Sequence, residues 1–139
     1  MSTNIRPEIS EKSKYWISKH RYYELKHYCM QYPEWQQDLW RLKDYILHSR
    51  IPCCQHDTNA ADPTADAAIA IANLEKRMAN IKKLCKEADA DLWAYIFEGV
   101  VHNRSFTYLK TALEIPCEKG MYYDRYRKFF WLLSERRDT

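Results

Sequence analysis

The chain has 139 residues, with 22 Lys and Arg against 19 Asp and Glu, a formal net charge of +3 and only two glycines, Gly99 and Gly120. That length holds one domain, or two small ones, around a modest core. Two glycines cannot supply the turns of a many-stranded sandwich or barrel, and no glycine-rich phosphate loop can be written. The mild basic excess permits nucleic-acid binding without requiring it. Eleven Tyr and five Trp in a chain that is also 29% charged point to an all-α protein with adhesive faces.

In chain order, the polar stretch 1–13 contains Pro7 and reads as a loosely held arm, not a signal peptide. Residues 14–32 form the first expected helix, with Tyr15 or Trp16, then Tyr22, Leu25, Cys29 and Tyr32 at helical spacing. Ser18 is a candidate N-cap. Pro33 breaks this helix and suits the first turn of the next, in which Trp35, Leu39, Leu42, Ile46 and Trp40 line a face. Residues 51–63 have no periodicity and read as a loop or linker. Asp62 and Pro63 then read as an N-cap followed by proline at the first helical position.

The longest helical signal runs from Thr64 to Ala88. Ala67, Ile71, Leu74, Met78, Ile81 and Cys85 make a narrow heptad seam. Ile71, Leu74, Met78 and Ile81 are the expected oligomer interface, holding a homodimer or bracing two halves of the chain. Beyond it, Asp89 or Asp91 caps a helix with Leu92, Tyr95 or Ile96, and Val100 inward, and Gly99 near its end. Ser105 or Thr107 opens a short helix carrying Phe106, Leu109 and Leu113. A final helix follows from about Gly120, with Tyr122, Tyr126, Phe129, Phe130 and Leu133 inward. The expected division is therefore 1–50, an N-terminal helical hairpin; 51–63, a linker; and 64–139, a long helix with a C-terminal helix-turn-helix-like unit, about five helices in all.

Region 91–135 has the order helix, tight break, short helix, short connection, longer helix, which is the layout of a helix-turn-helix. The connection from Ile115 to Gly120 is longer than the minimal turn. The last helix would enter a major groove, with its first residues at base edges and basic groups on phosphates. The candidates are Lys119, Tyr122, Tyr123, Arg125, Arg127 and Lys128 there, and Tyr108, Lys110 and Thr111 on the preceding helix. The competing reading is a tyrosine-rich helix that simply packs a core and keeps its basic residues solvated.

The run SFTYLKTALEIPCEKGMYYDRYRKFFWLL carries a short helix, a turn, Tyr-Tyr-x-x-Arg and an aromatic-Leu-Leu ending. It resembles the C-terminal half of RinA/ArpU-type regulators, small phage proteins that control late transcription, and through them the region-four helix-turn-helix of sigma factors. The resemblance spans Thr107 to Leu133 and implies duplex DNA as the partner.

Other constellations are thinner. Cys53, Cys54, His56 and Asp57 lack the second ligand cluster that zinc requires, and His20 and His27 are too far apart for a metal pair on one helix. No HExxH or GxSxG occurs, so neither catalysis nor a cofactor is expected. Cys29 and Cys85 fall on apolar stripes and read as small buried hydrophobes. Five dispersed cysteines without a secretion signal read as free thiols in the cytoplasm. Around the first helix, Lys14, Lys19 and Arg21 interleave with Tyr15, Trp16, Tyr22 and Tyr23. Such interleaving suits a single strand, a protein interface or a core stripe with a basic flank.

The expectation is a phage-derived, DNA-binding transcription regulator. A protein-binding inhibitor of a host nucleic-acid enzyme and a small packaging subunit are the alternatives.

Overall fold

The computed structural model describes residues 13–49 and 62–137. Among the described residues there are six helices and no strand. They are α1 (Lys19–Met30), α2 (Tyr32–His48), α3 (Pro63–Ala88), α4 (Trp93–Val101), α5 (Phe106–Thr111) and α6 (Lys119–Arg136). Only Gln31 separates α1 from α2. The expected arm and most of the expected linker, with Cys53, Cys54, His56 and Asp57, lie outside the described residues.

The starts of α1, α3 and α5 follow the polar side chains that precede them. Ser18 Oγ accepts from the Arg21 amide at 3.4 Å, and Ser105 Oγ accepts from the Tyr108 amide at 3.2 Å. Asp62 Oδ1 accepts from Thr64 and Ala65 at 3.1 and 3.2 Å, which leaves Pro63 at the position where a missing N–H costs nothing. Between α3 and α4, Asp89 Oδ1 takes the amides of Asp91 and Leu92 at 2.8 and 2.9 Å. Asp89 thus closes the turn that leads into α4, whereas the N-cap of α4 itself is Leu92, with no side-chain cap, so neither aspartate expected there caps the helix.

The helix ends are less conventional. With glycine so scarce, left-handed backbone falls to Asn103 after α4 (φ 53°) and to Glu114 after α5 (φ 54°). The amide of Ile115 returns to the Leu109 carbonyl at 3.0 Å and ties off α5.

Backbone contacts group the described residues into two units, 13–32 with 80–137, and 33–49 with 62–79. The division falls at the first turn of α2 and inside α3, whereas the loop-based expectation placed it at 51–63. The reason is that α1 packs on α4 and α6, and α4 packs on α5 and α6. The first helix therefore belongs with the C-terminal helices.

The first unit holds an aromatic core. Leu25, Cys29, Ile81, Leu84, Cys85, Ile96, Val100, Leu109, Ile115, Tyr122, Phe129, Phe130 and Leu133 are all buried. Tyr22 stacks edge-on to Phe130 at 5.1 Å, and its hydroxyl meets that of Tyr126 at 2.9 Å. Burial raises the proton affinity of both phenols. The rim is tied by Glu24, which pairs with Arg21 at 2.8 Å and Arg137 at 2.9 Å, and by Arg136 with Glu87.

The second unit is two helical segments. Trp35, Ala67 and Leu74 are its buried apolar residues, and Leu39, Leu42, Ile46, Ile71 and Met78 are half-buried. Arg77 lies 5.9 Å over the Trp35 ring, and Lys43 pairs with Glu75 at 3.5 Å. Trp40 does not join the inward face: it is 69% exposed. Five positions beyond Trp35 on a helix with 100° per residue, it points well away from the Trp35–Leu42 stripe.

Candidate nucleic-acid interface

The short helix α5 and the longer α6 follow one another as expected, and the residues between them set their approach. Phe106, in the first turn of α5, lies 5.8 Å from the Tyr122 ring and 6.3 Å from the Tyr123 ring. These contacts bring the N-terminal ends of the two helices together.

That packing decides the fate of the candidate readers. Tyr122 and Tyr123 are 1% and 6% exposed, so neither ring reaches a base edge; both belong to the core. The sequence allowed Tyr122 either an inward or a reading role, because Tyr-Tyr at the start of an amphipathic helix offers two rings for one inward face. Here Phe106 covers both. Arg125 is turned to Asp89, with Nε 3.3 Å from Oδ2, and to Asp124 at 3.6 Å. Its charge is already answered, and it braces the α3–α4 corner. Arg127 is half-buried, and its Nε is buried without a hydrogen-bond partner.

The groups left for a ligand are fewer and differently placed. Lys110 and Lys119 are exposed, Lys128 is half-buried, and Thr111 is exposed but donates its hydroxyl to the Thr107 carbonyl at 2.8 Å. Lys119 lies 5.9 Å over the Tyr123 ring. Tyr108 stands at the surface, 36% exposed, under the Arg104 guanidinium at 4.5 Å. Arg104 and Met121 are the two residues that sequence reading missed. Met121 is 47% exposed in the first turn of α6, one position before the buried tyrosine pair. Arg104 falls in the break between α4 and α5, where periodicity carries no signal.

Along α6 the outward stripe is Met121, Asp124, Lys128, Trp131 and Glu135, at helical spacing. The helix thus shows a mixed face to solvent, basic at its first turn through Lys119 and again at Lys128.

Charge is unevenly divided between the units. The described residues of the first carry fifteen Lys and Arg against nine Asp and Glu; those of the second carry four against six. Six basic side chains of the first unit lie over aromatic rings: Lys14, Lys82, Lys86, Arg104, Lys119 and Arg137.

The expected oligomer seam is partly occupied within the chain. Ile81 is fully buried in the first unit and Leu74 is 9% exposed, while Ile71 and Met78 are half-buried. Ile81 therefore has no surface left for a second copy. Among the described residues, no cluster of three or more His, Cys, Asp or Glu is placed to hold a metal, and no helix is long and apolar enough to cross a membrane.

Comparison with family models, with curated protein sequences and with solved structures found no match.

Proposed function

We propose that the chain is a phage- or prophage-type regulator of transcription that binds duplex DNA through α5 and α6. The observation that carries this reading is the basic excess confined to the first unit, where Arg104, Lys110, Lys119 and Lys128 stand on or beside a helix–break–helix. In this reading the first turn of α6 enters the major groove. Lys119 and Met121 meet the base edges, and Arg104, Lys110 and Lys128 meet phosphates. The resemblance of Thr107–Leu133 to RinA/ArpU-type regulators supports the phage assignment.

The test is a titration of duplex DNA at several salt concentrations. Lys110→Ala with Lys128→Ala is expected to weaken binding and flatten the logarithmic salt slope by about 1.8, roughly 0.9 for each phosphate no longer neutralised. An unchanged affinity and slope would overturn the assignment.

A second reading, a protein-binding inhibitor of a host nucleic-acid enzyme, draws on the second unit. That unit is net acidic and leaves Trp40, Tyr45, Leu47 and Ile69 between 45% and 69% exposed. Large exposed aromatics are characteristic interface anchors. Capture of a host enzyme that survives nuclease treatment and is abolished in Trp40→Ala would favour it over the first.

A further inference from the structure

At the C-terminal end of α3, two lysines one turn apart meet two rings one turn apart on α4. Lys82 lies 5.7 Å from the centre of the Phe97 ring, and Lys86 lies 4.7 Å from that of Trp93. Both distances are within the roughly 6 Å over which a cation is held by a ring face. Lys82, Lys83 and Lys86 are exposed, and among the described residues no carboxylate pairs with any of them. A lysine in the last turn of a helix is favoured by the helix dipole, which accounts for Lys86. It does not account for Lys82, or for rings half-exposed beneath both ammonium groups. Tyr32 fixes Phe97 from the other side, edge-on at 5.1 Å. The rings are thus held in place and hold the lysines out in a row, at the 5–6 Å or so that separates neighbours on a helix face.

The position of this row matters as much as its charge. Phe97 and Gly99 are two residues apart on α4, roughly 200° around the helix. Gly99 is the position that meets Tyr122 of α6. The lysine row therefore lies on the side of α4 turned away from its contact with α6.

We propose that Lys82, Lys83 and Lys86 form a second contact face for the phosphodiester backbone, which takes a second segment of duplex DNA without reading its sequence. The inference rests on the duplex-binding reading of α5 and α6. Duplex backbone is favoured over single strand because the two rings lie under the ammonium groups, and a stacking base would have to displace them. Sequence independence follows from the groups themselves, since lysine ammonium groups meet phosphates as point charges.

The experiment tethers one duplex to beads, adds the full-length protein, and measures capture of a second, fluorescent duplex of unrelated sequence at low salt. Wild type is expected to capture it. Lys82→Ala with Lys86→Ala is expected to bind the tethered duplex as wild type does while capture falls about tenfold or more. Lys82→Gln with Lys86→Gln keeps the packed stems and is expected to behave like the alanine pair; Lys82→Arg with Lys86→Arg is expected to retain capture. Helicity and melting temperature confirm that each variant is folded. Capture unaffected by the alanine pair overturns the second face. Wild type that binds the tethered duplex but captures no other also overturns it and leaves the α5–α6 reading standing. Wild type that binds no duplex at all overturns both. Binding of polyglutamate that depends on Lys82 and Lys86, with DNA capture unchanged, overturns it in favour of an acidic protein partner.

Discussion

At the scale of single residues, the pair Gly99 and Tyr122 shows how closely the first unit is packed. A Cβ at Gly99 would collide with the Tyr122 hydroxyl and rest 3.4 Å from Cζ, an ordinary contact. The hydroxyl is itself buried and has no hydrogen-bond partner. Two opposing effects therefore meet at one point. Gly99→Ala would gain helix propensity, about 1 kcal/mol, but it forces a fixed ring to move, and overpacking of this kind costs about 1–3 kcal/mol. Tyr122→Phe removes an unsatisfied buried oxygen and is expected to be neutral or stabilising by about 1 kcal/mol. The double variant is expected to recover most of what Gly99→Ala loses, so the two changes couple strongly in a double-mutant cycle followed by urea unfolding. Simple additivity would show that the hydroxyl is not what excludes a side chain at 99. None of this was legible in the sequence. Gly99 read as a residue near a helix end, and Tyr122 was offered both an inward and a reading role. The match is made by Phe106 and the crossing of α4 with α6, which involve residues more than fifteen positions apart.

At the scale of elements, the sequence was read well wherever a single side chain controls the backbone. Ser18, Asp62 and Ser105 cap the helices expected of them, because a short oxygen before an apolar run has few other uses. The inward stripe of α6 was equally legible, since Tyr122, Tyr126, Phe129, Phe130 and Leu133 obey one period. Trp40 was misplaced because a large ring adds weight to any face it is drawn on. The left-handed ends were missed because glycine normally marks them. Glu114 at φ 54° carries a penalty of roughly 1–2 kcal/mol that glycine would not. Part of that returns through glycine's greater freedom in the unfolded chain, about 0.5–1 kcal/mol. Glu114→Gly is therefore expected to stabilise the protein by up to about 1 kcal/mol in chemical denaturation. A clear loss of stability would mean that the Glu114 side chain, and not its backbone, matters to the end of α5.

At the scale of the whole molecule, the all-α class followed from composition and period, but the grouping of helices did not. The first helix joins the C-terminal ones through contacts such as Arg21 with Ser134, at 3.2 Å from Nε to Oγ, across more than a hundred residues. No local pattern announces such a pairing. The same core makes a prediction about alkaline pH. Burial raises the affinities of Cys29 and Cys85 above the ordinary 9.0, and those of Tyr22, Tyr122 and Tyr126 above the ordinary 10.0. The folded protein keeps these protons while the unfolded chain releases them. The stabilisation is complete below pH 9 and is lost as pH rises, by about 1.4 kcal/mol per pH unit for each group ionised only in the unfolded state. Unfolding free energies measured between pH 8 and 11 should fall ever more steeply, and Tyr126→Phe should make that fall shallower. A flat profile would show that the buried groups ionise in place.

The tyrosines of this core have an optical consequence. Tyr126 holds its ring centre 5.9–6.4 Å from those of Tyr22, Tyr122 and Tyr123, and Tyr122 lies 5.0 Å from Tyr123, all at fixed tilts. Chromophores locked so closely in an asymmetric array give the folded protein a near-ultraviolet circular dichroism signal that vanishes when packing loosens, even while the helices persist. The molecule thus carries its own label for the state of its first unit, separate from the far-ultraviolet record of its helices and readable without any added dye.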